Sequence, residues 1–126
     1  MRYRNEDQGI VIVVEPKYLG EAEANGENSF SYSVWIANSR PLSVTLIRRH
    51  WYIYSKDKLH LEVEGEGVVG LQPAITPGSS FHYSSGTTIP GEVGSMKGKY
   101  TFQDSDGSEF FVEIPEFDLI INMTMQ

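Results

Sequence analysis

Apolar and polar residues alternate with a period of two through most of this chain. Such a period is typical of a β-strand that turns one face toward a core. The alternation is clearest in four segments, at residues 30–36, 59–63, 96–102 and 110–114. Two β-rich segments without strict alternation, Ile10–Val14 and Val44–Tyr54, predict further strands.

Breaks in this pattern predict the irregular points of the chain. The apolar phase shifts between Leu46 and Ile47, which predicts a β-bulge near Arg48 and Arg49. Pro16 interrupts the first run and suits an edge strand or a bulge.

Gly, Pro and Ser-rich stretches predict the connections between these strands. Long loops are expected at residues 65–79 and 84–95, with only a short strand around Phe81 and Tyr83 between them. Asp104-Ser105-Asp106-Gly107 predicts a hairpin turn.

About eight short strands with no helical period predict an all-β immunoglobulin or fibronectin-III-like sandwich. The fibronectin-III-like form is favoured because the chain has no cysteine for an intersheet disulfide, and Trp51 on the third long strand fits either form. We expect a single domain over residues 1–126, with its core between about residues 10 and 122.

Composition excludes several classes of function. Among the 126 residues there is no cysteine, so disulfides, thiolate metal sites and cysteine nucleophiles are excluded. The net charge of −7 argues against general nucleic-acid binding. No apolar run approaches a membrane span, and we expect a cytoplasmic protein.

The segment Gly65-Glu66-Gly67-Val68-Val69-Gly70 matches the G-x-G-x-x-G nucleotide-binding pattern. That pattern works when a helix follows it, but Pro73 follows closely here and the nearby glutamates would repel phosphate. The first interpretation is therefore structural, with the glycines allowing positive φ and a close backbone approach. An anion-binding nest and a partner-binding loop, formed by Gly65, Gly67, Gly70 and Gln72, stay open as alternatives.

Basic residues are concentrated on two predicted strands. Arg48, Arg49, Lys97 and Lys99 are four of the ten cations, and the period of two puts both lysines on one face. A candidate basic and aromatic surface for an anionic partner is formed by Arg49, His50, Lys97 and Lys99. The alternative is a solvated face balanced by neighbouring glutamates.

Candidate metal and catalytic residues lack diagnostic spacing. The histidines are His50, His60 and His82; two of them with a glutamate could bind a divalent cation, but no metal site is assigned. The Asp104–Asp106 segment lacks the full acidic set of a calcium loop. Glu62 and Glu64 share a face and could serve acid–base chemistry, although an exposed strand explains them equally well. No motif supports nucleophilic catalysis.

An ordered set of motifs resembles the ApaG family from about Val11 to Ile121. These motifs are Arg49-His50-Trp51, the segment from Glu62 to Pro73, Pro77-Gly78, Tyr83-Ser84-Ser85-Gly86, Gly94 to Tyr100, Asp106-Gly107 and Ile114-Pro115-Glu116-Phe117. The chain departs from the family pattern at residues 55–58, which lack a frequent turn glycine, and at Arg48. The resemblance implies a fibronectin-III-like fold, a non-enzymatic role, and an association with cobalt resistance and magnesium efflux.

The sequence therefore predicts a non-enzymatic binding module with a protein partner, no cofactor, and neither nucleic acid nor membrane as a target. Its expected working surface is the end of the sandwich formed by the two long loops and Arg49-His50-Trp51. The alternative is binding of a nucleotide or pyrophosphate through the Gly65–Gly70 loop. We expect a monomer or weak homodimer, with edge pairing through Ile10–Val14 as one route to association.

Overall fold

The computed structural model describes residues 1–122, and these residues form nine β-strands. The strands are β1 (Tyr3–Asp7), β2 (Ile10–Glu21), β3 (Asn28–Asn38), β4 (Val44–Ser55), β5 (Lys58–Glu66), β6 (Ala74–Ile75), β7 (Ser80–Ile89), β8 (Val93–Asp104) and β9 (Glu109–Ile120). No helix capable of crossing a bilayer occurs in this part of the chain.

The strands form two antiparallel sheets that pack face to face. One sheet has the order β1-β2-β3-β7, and the other has the order β5-β4-β8-β9, with β6 paired to the start of β4. The predicted all-β sandwich is thus confirmed. Alternate residues of β3 and β8 are buried between the sheets, as the period of two requires. The largest fully buried side chains are Trp51, Tyr100, Phe30, Phe102 and Phe117.

The two sides of the sandwich differ in how they close. On the β1–β9 side, the Asn5 side-chain amide donates to the Glu113 backbone carbonyl at 2.8 Å, and the Gln8 side-chain amide donates to the Phe111 backbone carbonyl at 3.0 Å. On the opposite side, β5 and β7 are the outermost strands, and no side-chain hydrogen bond among residues 1–122 joins them. The sandwich is therefore closed on one side and open on the other.

The prediction that Ile10–Val14 forms an exposed edge is wrong. These residues pair with β3 on one side and with β1 on the other, where Tyr3 lies opposite Val14. The polar sequence of β1 lacks apolar alternation, which explains why sequence reasoning missed it. Pro16 continues β2 beyond the last β1 pair, so its missing N–H interrupts no pairing to β1.

The predicted loop at residues 84–95 is also wrong. Strand β7 continues to Ile89 and β8 begins at Val93, so only a short turn connects them. The predicted loop at 65–79 is shorter than expected because β5 continues to Glu66 and β6 lies within it. The expected bulge is confirmed by a register shift between Leu46 and Arg48. The hairpin turn is confirmed by the bond from the Gly107 amide to the Asp104 carbonyl at 3.0 Å.

Candidate functional site

Basic and aromatic side chains meet on the outer face of the β5-β4-β8-β9 sheet. Lys97 pairs with Tyr52, and Lys99 pairs with His50 across β4 and β8. Paired residues of an antiparallel sheet share a face, so these four side chains lie together. We call the surface formed by Tyr52, Tyr54, Lys97, Lys99 and Phe111 the basic–aromatic face.

Arg49 does not belong to that face. It pairs with Tyr100, which is buried in the core, and so its side chain leaves β4 on the inner side. Arg48 is the arginine on the outer side, where it pairs with Glu109 at 2.6 Å. Of the four residues in the candidate basic surface, the structure brings together His50, Lys97 and Lys99.

Both lysines of the basic–aromatic face lie against aromatic rings. The Lys97 ammonium is 5.6 Å from the Tyr54 ring centroid, and the Lys99 ammonium is 4.7 Å from the Phe111 ring centroid. Each such contact contributes about 0.5–1 kcal/mol at an exposed position. Neither ammonium pairs with a carboxylate among residues 1–122. Their ammonium groups are therefore positioned by aromatic rings rather than by ion pairs, while Glu113 lies opposite Lys99 on β9.

A depression of about 730 Å³ lies in the same face. Tyr52, Tyr54 and both lysines line it, and Arg4 reaches it from β1. Two carboxylates, Glu113 and Glu116, also line it, while Arg4 pairs with Glu6 at 2.8 Å. The volume lies within the range of small-molecule ligand pockets, roughly 300–1,000 Å³.

A histidine and two glutamates form a cluster beside this depression. His50 Nε2 lies 2.6 Å from a carboxylate oxygen of Glu62, and the possible ligand atoms of His50, Glu62 and Glu64 all lie within 4.8 Å of one another. The His50 ring stacks on Tyr52 with centroids 4.5 Å apart, which fixes its orientation. One imidazole and two carboxylates are a donor set suited to a borderline divalent cation.

The other two histidines lie outside this cluster. His82 stacks on Trp35 in the opposite sheet, with centroids 4.6 Å apart and rings 9° from parallel. His60 lies on β5 but contributes no ligand atom to the cluster. The carboxylates of Glu62 and Glu64 are exposed and lie beside His50 on the open face of the sheet.

The glycine motif forms a tight turn that uses its own amides. The Gly67 amide donates to the Ile47 carbonyl at 2.8 Å, and Val68 and Leu71 exchange two main-chain bonds of 2.8 Å. The Gln72 side chain donates to the same Ile47 carbonyl at 3.0 Å. No helix follows. These amides are directed at protein carbonyls, so the geometry gives no support to a phosphate-binding nest.

Gly67 is required by this turn. Its φ is +63°, and a Cβ on it would lie 2.0 Å from the Leu71 carbonyl oxygen. Val68 beside it is fully buried and fills the end of the core. Gly67 and Gln72 therefore have structural roles in this turn, and Gly70 contributes a positive φ of +79°.

The acidic hairpin also uses its carboxylates internally. Asp104 accepts hydrogen bonds from Arg40 at 3.1 and 3.2 Å. Asp106 accepts a bond from the Ser108 amide at 2.9 Å, and this backbone hydrogen bond lowers the pKa of Asp106. The turn thus has the geometry of a structural hairpin.

These features define a class of protein: an all-β sandwich with basic and aromatic side chains on the outer face of one sheet. The family model described as the ApaG domain matches residues 20–104. The chain belongs to the ApaG family.

Relatives match almost the whole chain. It is 41% identical over 119 residues to Protein ApaG of Paramagnetospirillum magneticum, covering 93% of this chain and 92% of that protein. The match to Protein ApaG of Methylorubrum extorquens has the same identity and coverage. The solved structure of a putative ApaA protein from Bordetella pertussis is 34% identical, with a TM-score of 0.83, covering 90% of this chain and 94% of that one.

Proposed function

We propose that this ApaG-family chain is a non-enzymatic binding module that captures an acidic segment of a partner protein on the basic–aromatic face. One observation carries the proposal. Lys97 and Lys99 form no ion pair among residues 1–122 and lie against the Tyr54 and Phe111 rings, beside a depression of about 730 Å³, in a chain whose net charge is −7.

This surface differs from the loop end that the sequence suggested. The segment 84–95 is mostly strand, so it supplies no recognition loop, and the glycine turn bonds to itself. The outer face of the β5-β4-β8-β9 sheet instead combines two lysines with an exposed aromatic ring, since Phe111 is 52% exposed.

The face can contribute both specificity and affinity. Exposed ion pairs with Lys97 or Lys99 are worth about 0.2–1 kcal/mol each, so they would mainly steer an acidic partner and set its register. Burial of Phe111 and the tyrosine rings would add about 25 cal/mol for each Å² removed from water. Binding should therefore be moderate in strength and sensitive to salt.

The test is quantitative partner capture by immobilised protein, compared between matched charge variants. Lys97→Glu with Lys99→Glu reverses two charges on the face, whereas Lys17→Glu with Lys58→Glu makes the same change at exposed lysines elsewhere. We expect the first variant to lose partners that wild type retains, by more than about tenfold, and the control to keep them. Equal capture by both double variants would contradict the proposal.

A second candidate function is binding of a divalent cation by His50, Glu62 and Glu64. The 4.8 Å grouping of their ligand atoms favours it, as does the association with cobalt and magnesium that the family resemblance implies. An imidazole donor favours Co²⁺, while Mg²⁺ prefers an all-oxygen shell with several waters.

Calorimetric titration with each ion tests this candidate. We expect saturable Co²⁺ binding that His50→Ala removes and the control His60→Ala leaves intact, with no comparable Mg²⁺ binding. Co²⁺ binding that survives His50→Ala would contradict the assignment of this cluster.

A further inference from the structure

A cleft of about 530 Å³ opens between the two sheets on the β5–β7 side. Its floor is apolar and deeply placed, with Trp51 only 2% exposed and Phe30 fully buried. Its rim is also apolar but accessible, since Leu19 is 57% exposed and Leu61 is 42% exposed. The cleft thus joins the core to solvent.

The cleft exists because small polar residues occupy the inner face of β7. Ser85 pairs with Tyr32, and Thr87 pairs with Phe30, so both point between the sheets. A sandwich normally places large apolar side chains at such positions. Because these two side chains are small, the apolar residues on the inner faces of β4 and β5 are not fully covered. The apolar surface left accessible to water costs about 25 cal/mol of stability per Å².

Arg49 supplies a positive charge at one end of this cleft. Its Nη1 donates to the Glu66 and Gly67 carbonyls at 3.0 Å each. Gly65 leaves room for the guanidinium, because a Cβ there would lie 3.0 Å from Nη1. Among residues 1–122, no carboxylate pairs with Arg49, and its Nε and Nη2 make no hydrogen bond.

We propose that this cleft binds an amphipathic carboxylate, with its carboxylate on Arg49 and its aliphatic chain along the floor of the cleft. A partly buried arginine without an acidic partner, in a protein with excess acid, is matched by an anionic head group. The floor follows β4 from Arg49 to Ile53. Four residue steps span about 13 Å, the length of an extended chain of about ten carbons. This inference is independent of the proposed partner surface, which lies on the other face of the same sheet.

Decanoate is the probe, used below its micelle-forming concentration, and decanol is its uncharged counterpart. Binding of each compound is measured from the amide NMR shifts of the full chain. We expect saturable decanoate shifts confined to the strands that line the cleft, namely the end of β2 and parts of β3, β4, β5 and β7, with decanol binding at least about tenfold more weakly. Equal binding of the two compounds would overturn the role of Arg49, and an absence of saturable shifts, or shifts confined to the outer face, would overturn the cleft as a site.

Matched variants separate the cleft from the surface. Ser85→Leu fills the cleft, whereas Ser84→Leu places the same side chain on the outer face of the same strand. We expect Ser85→Leu to lose decanoate binding by more than about tenfold and Ser84→Leu to retain it. Arg49→Met should bring decanoate binding down to the level of decanol. Retained binding in folded Ser85→Leu would overturn the proposal even if Arg49→Met does not fold.

Discussion

Two tyrosine hydroxyls in the core make the stability of this fold depend on alkaline pH. Tyr83 and Tyr100 hydrogen-bond to each other between the sheets, and both side chains are buried. Desolvation is the main cause that raises the pKa of each phenol above its ordinary value. Both phenols therefore stay protonated in the folded state over a range of pH in which the unfolded chain ionises them.

The expected loss of stability follows from proton linkage. Below about pH 9, a phenol with a raised folded pKa is neutral in both states and causes almost no pH dependence. Above about pH 10, only the unfolded state releases its protons, so the free energy of unfolding falls as the pH rises. At about pH 11 this amounts to about 1.4 kcal/mol for each tyrosine, or about 3 kcal/mol for the pair.

Urea unfolding of wild type and of Tyr83→Phe with Tyr100→Phe measures this loss. Removing both hydroxyls together leaves no orphaned partner, so the variant should have nearly wild-type stability at about pH 8. Between about pH 8 and pH 11, wild type should lose about 3 kcal/mol more than the double variant. Tyr52→Phe, on the outer face of the sheet, is the control and should follow wild type.

Other alkaline effects are common to the compared proteins. The ion pairs of residues 1–122 are formed by arginine and histidine, so lysine titration breaks none of them. Burial also raises the pKa of Tyr32, which is unchanged in the variants. If wild type and the double variant lost the same stability up to about pH 11, the buried pair would not be the cause, and the reasoning would be refuted.

Two further changes test the structural roles assigned above, each by urea unfolding at neutral pH. Gly67→Ala should lower the free energy of unfolding by about 2–4 kcal/mol, because it combines a positive φ with a Cβ only 2.0 Å from the Leu71 carbonyl oxygen. The control Gly70→Ala should lower it by only about 1 kcal/mol, because φ is also positive there but nothing lies within 4 Å. Arg40→Ala should lower the free energy of unfolding by about 2 kcal/mol, because it removes the largely buried ion pair with Asp104. Stability equal to that of wild type would show that this ion pair contributes nothing.

The strands that face the core on one side could be predicted from the sequence. Residues 30–36 and 96–102 alternate because every second side chain is buried between the sheets. Strand β1 is polar and lies at the edge, and β7 carries Ser85 and Thr87 on its inner face. Strand β1 lacks the apolar alternation on which the prediction depends, and β7 shows it only at Phe81 and Tyr83, so its extension to Ile89 was missed.

The candidate sites were predictable only where they depend on alternation. The period of two placed Lys97 and Lys99 on one face. It could not show which way Arg49 points, because the bulge between Leu46 and Arg48 resets the facing of the strand. The cluster of His50, Glu62 and Glu64 depends on the register between β4 and β5, and the cleft depends on the packing of two sheets, neither of which a single sequence contains.

The short strand β1 has a consequence for which edge of its sheet faces solvent. It covers Ile10–Val14, a β-branched run of high aggregation tendency, and presents Arg4, Glu6 and Asp7 in its place. Without residues 1–7, that run would become a free edge able to template pairing with a second copy. The charged N-terminal strand thus occupies the position at which a second copy could pair, and it lies outside the 20–104 segment that the family model matches.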